Sequence, residues 1–301
     1  MLSLPTVTLL CIDCLNPQAA LVAVRRSLAQ CRFARAVLLT HEKPDGMGDD
    51  IEVKLISRLT SREAYSRFML NELGSHFSTE HVLVCQWDGY VVNASAWRDE
   101  FLQHDYIGAK WWHRDGFNVG NGGFSLRSRK LVQAVAALGL TQCELNEDDV
   151  ICRAGRPTLE KQFGIRFAEE AVADQFAFER GYVPGEVLPF GFHGMFNFWR
   201  VLSSSELEPL LDLLDARTIL ANETLELAQH YLKLKRHGET IAVAARVLDH
   251  NSGSVPALKM LCLAAHHSGR KWLAAVAMRE LQAVEAAARA SAPRVPEPVC
   301  A

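Results

Sequence analysis

Asp88 stands in the stretch Gln86-Trp87-Asp88-Gly89, directly after the apolar run HVLVC. A carboxylate at the end of such a run can hold a divalent cation, and through it a diphosphate. Mg2+ and Mn2+ need only one or two protein carboxylates when phosphate oxygens complete the shell. Asp-Gly also makes a turn after a strand, and taken alone that reading is the simpler one. Gly120, Gly122 and Gly123 lie in VGNGGFSLRS. Adjacent glycines weaken a strand, so either a bulge or a ligand resting on bare backbone accounts for them, and three together favour the ligand. Just upstream, Trp111 and Trp112 either stack on a sugar ring or pack. Asn146-Glu147-Asp148-Asp149 sets acids ahead of an apolar Val-Ile-Cys. Acids suit a helix N-terminus, and a carboxylate beside a pocket can also take the proton of an attacking hydroxyl. His193 lies between glycines in LPFGFHGMF. A lone histidine among aromatics is usually structural, but small neighbours leave room for a ligand, and imidazole pairs well with metals and phosphates.

These residues need elements to hold them. VTLLCID reads as a buried strand ending at Asp13, and Asn16-Pro17 opens a helix through QAALVAVRRSLAQC. AVLLT is a second buried strand, and HEKPDGMGDD is a loop. SREAYSRFMLNELGSHF is a helix and HVLVCQ the next strand. DYIGA and GGFSLRS are short strands around a Gly- and aromatic-rich loop, and SRKLVQAVAALG is a helix stopped by Gly139. Strands alternating with helices predict an α/β domain with a mainly parallel sheet, whose ligands gather at the carboxyl ends of strands. Asp13, Thr40-His41 and Gln86-Trp87-Asp88 all fall at such ends. No G-x-G-x-x-G and no G-x-x-x-x-G-K-[ST] occurs, so a dinucleotide or P-loop site of the usual kind is not expected.

After about Ser203 the pattern turns wholly helical. Leu227 to Ala245 and Leu258 to Ala277 form two helical pairs, each broken by a glycine, Gly238 and Gly269. Their offset of about thirty residues is near that of tetratricopeptide arrays. A small helical bundle is the equal alternative. We expect domains at 1–203 and 204–290, and a Pro-rich, disordered tail at 291–301.

The 301 residues are 49% hydrophobic and 22% charged with a net charge of -3, which suits a globular chain of one large and one smaller domain. The lack of a basic bias argues against nucleic acid as the main partner. No apolar run is long enough for a membrane span. The opening MLSLPTVTLLCIDC lacks a basic n-region and is interrupted by Asp13, so it reads as a strand rather than a signal peptide. Cys11-x-x-Cys14 has no second pair or histidine at zinc spacing, so core packing is the better reading of it, and most of the eight cysteines are expected to be reduced core residues in a cytoplasmic protein.

Taken in order, YSRFML, VLVCQWDGYVVN, FLQHDYIGAKWW, VGNGGFSLRSRK, NEDDVIC and PFGFHG resemble a family of glycosyltransferase-like proteins catalogued as a domain of unknown function. That family is similar to nucleotide-sugar-dependent transferases of the GT-A (Rossmann-like) fold. The resemblance spans roughly Val7 to Phe196 and leaves the helical part outside. It implies that Asp88 takes the place of the DxD carboxylate that holds Mn2+ or Mg2+ against the donor diphosphate, with Gln86 at the first acidic position. It implies His193 as a second metal or diphosphate ligand, and Tyr65 and Ser66 on the path of the nucleotide. Gly122 and Gly123 would line the acceptor side with Trp111 and Trp112. Glu147 and Asp148 would be the acidic pair, with Asp148 as general base in an inverting transfer. Lys110 stands where the family commonly has Pro, so the acceptor loop differs. The donor implied is a nucleotide sugar, UDP-linked before GDP-linked, and the acceptor a glycan, protein or small molecule. The C-terminal helices would recruit a protein partner or a second copy. The competing expectation is a catalytically degenerate transferase fold that serves as a binding scaffold, which the single acid of QWDG favours. A metal-dependent phosphate or sugar-ester hydrolase ranks last, because it needs more clustered ligands.

Overall fold

The computed structural model describes residues 1–139 and 145–291. Cys143, Cys300 and the tail beyond Ser291 lie outside the described residues. The chain divides into two compact units, Met1–Asn197 and a second that begins at Phe198.

The first unit is built on β1 (Leu2–Ile12), α1 (Pro17–Gln30), β2 (Cys31–Thr40), β3 (Glu52–Leu55), α2 (Arg62–Asn71) and β4 (His81–Cys85). It continues with β5 (Tyr106–Gly108), β6 (Ser125–Ser128), α3 (Arg129–Leu138) and the short α4 (Glu147–Asp149), which runs into a π-helical turn Val150–Ala154. α5 (Arg156–Phe163), α6 (Glu170–Phe176), β7 (Ala177–Phe178) and β8 (Gly191–Phe192) complete it. Six strands form one sheet in the order β3-β2-β1-β4-β6-β5. The β3/β2, β2/β1 and β1/β4 pairs are parallel, and β6 runs antiparallel to both β4 and β5. The α/β class with a mixed, mainly parallel sheet and flanking helices is therefore what the chain forms.

The strand sequences explain the layering. Successive side chains of a strand point to opposite faces, and a sheet covered on both faces reads as a continuous apolar run. In β1, Leu9 and Cys11 enter one core with Leu83 and Cys85 of β4, beneath Leu21 and Val24 of α1. Leu10 and Ile12 enter the opposite core with Val82 and Val84, beneath Phe68 and Met69 of α2. Pro5 cannot donate to a ladder, and the β1/β2 register is irregular where it lies, between Leu4 and Thr8. α2 is capped by Ser61, whose hydroxyl accepts the Ala64 N–H, and α3 by Ser128, which accepts the Leu131 N–H. Gly139 ends α3 in the left-handed region, at φ 59°. Strand β3 was not expected: Glu-Val-Lys-Leu is a four-residue alternation after a Gly-rich loop, too short to stand out from it.

In the second unit all the described elements are helices: α7 (Phe198–Val201), α8 (Ser204–Leu211), α9 (Ala216–Ile219), α10 (Asn222–Lys233), α11 (His237–His250), α12 (Val255–His267) and α13 (Lys271–Ser291). α8 opens on a capping box in which Ser203 and Glu206 satisfy each other's backbone N–H. From α10 to α13 each helix packs on the next, around Leu227, Tyr231, Val243, Ala244, Leu258 and Ala264. Among the described residues no helix is long and apolar enough to cross a membrane.

Candidate functional site

The antiparallel turn of β6 decides where the site lies. Val84 near the end of β4 pairs with Ser125 at the start of β6. The glycine turn that enters β6 therefore meets Gln86-Trp87-Asp88-Gly89 at the carboxyl edge of β4. Gln86 and Gly89 exchange backbone hydrogen bonds, both at 3.0 Å, so QWDG does reverse the chain. The turn also gives the Asp88 carboxylate a direction. Its Oδ2 accepts the Met195 N–H at 3.1 Å, and its Oδ1 lies 3.7 Å from His193 Nε2. The Asp88 carbonyl accepts the Gly194 N–H at 2.8 Å. The segment after β8 is thereby pinned to the end of β4.

His193 is wrapped by amides. Its Nδ1 pairs with Asn121 Nδ2 at 3.0 Å and its Nε2 with Gln86 Oε1 at 3.2 Å. Gln86 Nε2 in turn donates to the Tyr65 hydroxyl at 2.9 Å. The ring lies directly on Gly123, where any side chain would collide with Nε2, Cδ2 and Cε1. The bare backbone of Gly123 is thus filled by His193.

The acids stand on the other side of the same turn. Asp148 Oδ2 accepts the Gly122 N–H at 3.0 Å, and Glu147 Oε1 accepts Arg127 Nη2 at 2.8 Å. A side chain at Gly122 would meet Glu147, Arg127 and Asp148 at once. The Glu147 N–H donates to the Ser66 hydroxyl at 3.2 Å, which fixes the start of α4 to α2. Burial, joined by the charge of Glu147, pushes the Asp148 carboxyl up to about 7. Asp13, at the end of β1, accepts the Leu15 and Asn16 N–H groups at 2.7 and 2.6 Å. Burial outweighs those bonds and pushes Asp13 up to about 6, with Asp88 adding to the shift. Tyr65 is raised as well, by burial and then by the charge of Glu147.

The structure thus gathers Tyr65, Gln86, Asp88, Gly122, Gly123, Glu147, Asp148 and His193 around the single turn Asn121–Gly123. Two expected residues sit elsewhere in role. Ser66 is buried, and its hydroxyl accepts the Glu147 N–H rather than facing an open path. Trp111 is 7% exposed with its indole against Gly120, so it packs, whereas Trp112 is 62% exposed. Arg127 and Asn121 were missed. Arg127 had a signal: it alternates with Leu126 in the short strand Ser-Leu-Arg-Ser, and the motif downstream, NEDDVIC, carries three acids and no cation. Asn121 had none beyond its place between glycines.

For a divalent ion, the chemistry on offer is one carboxylate oxygen of Asp88, one imidazole nitrogen of His193 and the nearby Gln86 carbonyl. Among the described residues no group of three or more His, Cys, Asp or Glu side chains is set to hold a metal. A hard ion here fits only with ligand oxygens, such as those of a diphosphate, completing its shell.

No curated protein matches the chain. Among solved structures it is similar to the apo-form glycosyltransferase GlyE of Streptococcus pneumoniae TIGR4, at 17% identity and a TM-score of 0.43, over 75% of this chain and 63% of that one. It is similar also to an active-site mutant of LgtC, at 14% identity and a TM-score of 0.43, over 68% of this chain and 94% of that one. This chain spans less than two thirds of the length of GlyE. Residues 50–193, which hold every side chain of the cluster around Asn121–Gly123, match the family described as protein of unknown function, DUF5672.

Proposed function

We propose that the first unit is a glycosyltransferase of GT-A type that moves a sugar from a nucleotide-sugar donor to an acceptor hydroxyl. One observation carries the reading. A carboxylate–imidazole pair, Asp88 and His193, and a near-neutral carboxyl, Asp148, flank the same glycine turn. Sugar transfer needs both kinds of group. The departing diphosphate takes the electron pair of the broken C1–O bond, and its growing negative charge calls for cationic or metal stabilisation. The acceptor oxygen forms the new bond to C1 and must lose its proton, which a carboxylate poised near neutrality can take. Asp148 supplies that base in an inverting transfer. Mn2+ or Mg2+, when bound, would be held by Asp88 and His193 and would neutralise charge on the diphosphate. Gln86 keeps His193 in place from one side and Asn121 from the other. Tyr65 steadies Gln86, and Trp112 offers an exposed ring to an acceptor.

Turnover on a panel of UDP- and GDP-sugars, with water or simple glycosides as acceptor, tests this. Asp148→Asn is expected to lower turnover by about 10²–10⁴-fold, the usual weight of a general base, while donor binding persists. Wild-type turnover in that variant would remove the base assignment.

The scaffold reading also has an observation behind it. Asp88 caps the segment Gly194–Met195 through both its carbonyl and its carboxylate, which alone explains an aspartate there. In that reading the tetratricopeptide-like helices bind a partner and no nucleotide binds. Thermal shift with a nucleotide-sugar panel, with and without Mn2+, separates the two.

A further inference from the structure

Glu147 and Asp148 are neighbours in sequence but not in surroundings. Arg127 and Glu147 are buried together and share a bond of 2.8 Å. Arg127 Nη2 also donates to the Gly122 carbonyl at 3.3 Å, and its Nε to Ser125 Oγ at 3.0 Å. Its Nη1 is buried with no hydrogen-bond partner. The guanidinium lies over the Tyr106 ring, 5.5 Å from its centre. Asp148 has no such cation: its oxygens take the Gly122 and Asp149 N–H groups. The charged and titratable groups that face it are Glu147 and Asp149 on its own turn, Arg127 from β6, Tyr106 from β5 and Cys152 from the π-helical turn. One buried cation thus pairs with the buried Glu147 and not with its half-buried neighbour Asp148.

We infer that Arg127 is the positioning residue that claims Glu147 in a buried ion pair and leaves Asp148, held only by backbone N–H groups, as the acid that exchanges the proton. Resting on the transfer reading above, this divides what the sequence presented as a pair: Asp148 is the base, and Glu147 is the charge that tunes it. Arg127 makes that division possible. Without it, either acid could hold the proton. With it, the ion pair claims Glu147, and the same guanidinium donates to the carbonyl of Gly122, the residue whose N–H donates to Asp148. The glycine turn, the base and its tuning charge are tied together by one side chain. A buried pair of this kind is weak support for stability, so another use for it is to be expected.

The test follows the carboxyl carbon of Asp148 by 13C NMR across pH in the full chain, assigned by its loss in Asp148→Asn. Wild type is expected to titrate near neutrality. Glu147→Gln is expected to lower the midpoint by about one pH unit or more, since a like charge has been removed. Arg127→Met is expected to raise it, and Arg127→Lys to keep it near wild type. Either neutral single variant strands a buried charge and could unfold the chain. The double variant Arg127→Met/Glu147→Gln strands none. Its midpoint is expected below wild type, because Glu147 weighs more on Asp148 than Arg127 does. An unmoved midpoint in every folded variant would overturn the inference, and so would Arg127→Lys behaving as Arg127→Met. No sugar donor enters this measurement. A moved midpoint without turnover on any nucleotide sugar would keep the charge division and remove the transferase. An unmoved midpoint with turnover would do the reverse. Where turnover is found, the rising limb of its pH profile is expected to move with the NMR midpoint.

Discussion

At the scale of single residues, the glycine turn explains more than any charged group. His193 occupies the space a side chain would need at Gly123, and Glu147 occupies that space at Gly122. Gly123→Ala is therefore expected to displace the imidazole and weaken donor binding by an order of magnitude or more, measured by calorimetric titration. The raised carboxyl of Asp148 gives a pH prediction whose sign can be worked out. An unfolded aspartate ionises near 3.8, and Asp148 in the fold near 7. Between those values the fold holds a proton that the unfolded chain has released, so this group's contribution to stability falls as pH rises. Below the unfolded value both states are protonated and nothing is lost. Asp148→Asn is thus expected to melt higher than wild type at pH 8 and equally at pH 3.5, as thermal melts at the two pH values will show. A variant less stable at pH 8 would mean that the carboxylate is held by bonds that outweigh its burial.

Elements set those residues in place, and here the reading from sequence divides. The apolar runs of β1, β2 and β4 were plain, because strands buried on both faces leave little else to read. Helices α1, α2 and α3 were plain from their opening residues and glycine stops, whereas α5 and α6 were not read from the sequence. Nor was the orientation of β6. A short strand of Ser, Leu, Arg and Ser carries no mark of its direction. That direction is what brings VGNGG beside QWDG, so the meeting of the two motifs came from the resemblance and not from periodicity. Trp111 shows the converse limit: an aromatic beside glycines fits a sugar platform or a core equally well until burial is known, and burial put it in the core. The capping of α2 matters for function because that helix carries Tyr65 and Ser66, which brace Gln86 and the Glu147 backbone. Ser61→Ala is expected to cost about 1 kcal/mol in chemical denaturation. It is expected to raise the donor KM before it lowers kcat, since the base itself is held elsewhere.

Across the whole molecule, the site residues all belong to the first unit and the helical unit supplies none of them. A chain ending at Asn197 is accordingly expected to keep nucleotide-sugar binding and to lose whatever partner or acceptor the helices recruit, which binding titrations on both lengths of chain will compare. We propose that the turn Asn121–Gly123, with Asp88 and His193 on one side and Asp148 on the other, receives a nucleotide sugar. Thermal melting of the full chain with a panel of UDP- and GDP-sugars, with and without Mn2+, tests it most directly. At a hundredfold excess over Kd, the matching donor should stabilise the fold by about 2.7 kcal/mol, and Gly123→Ala should cut that to about 1.4 kcal/mol or less. No shift with any nucleotide sugar, in either condition, would contradict the account.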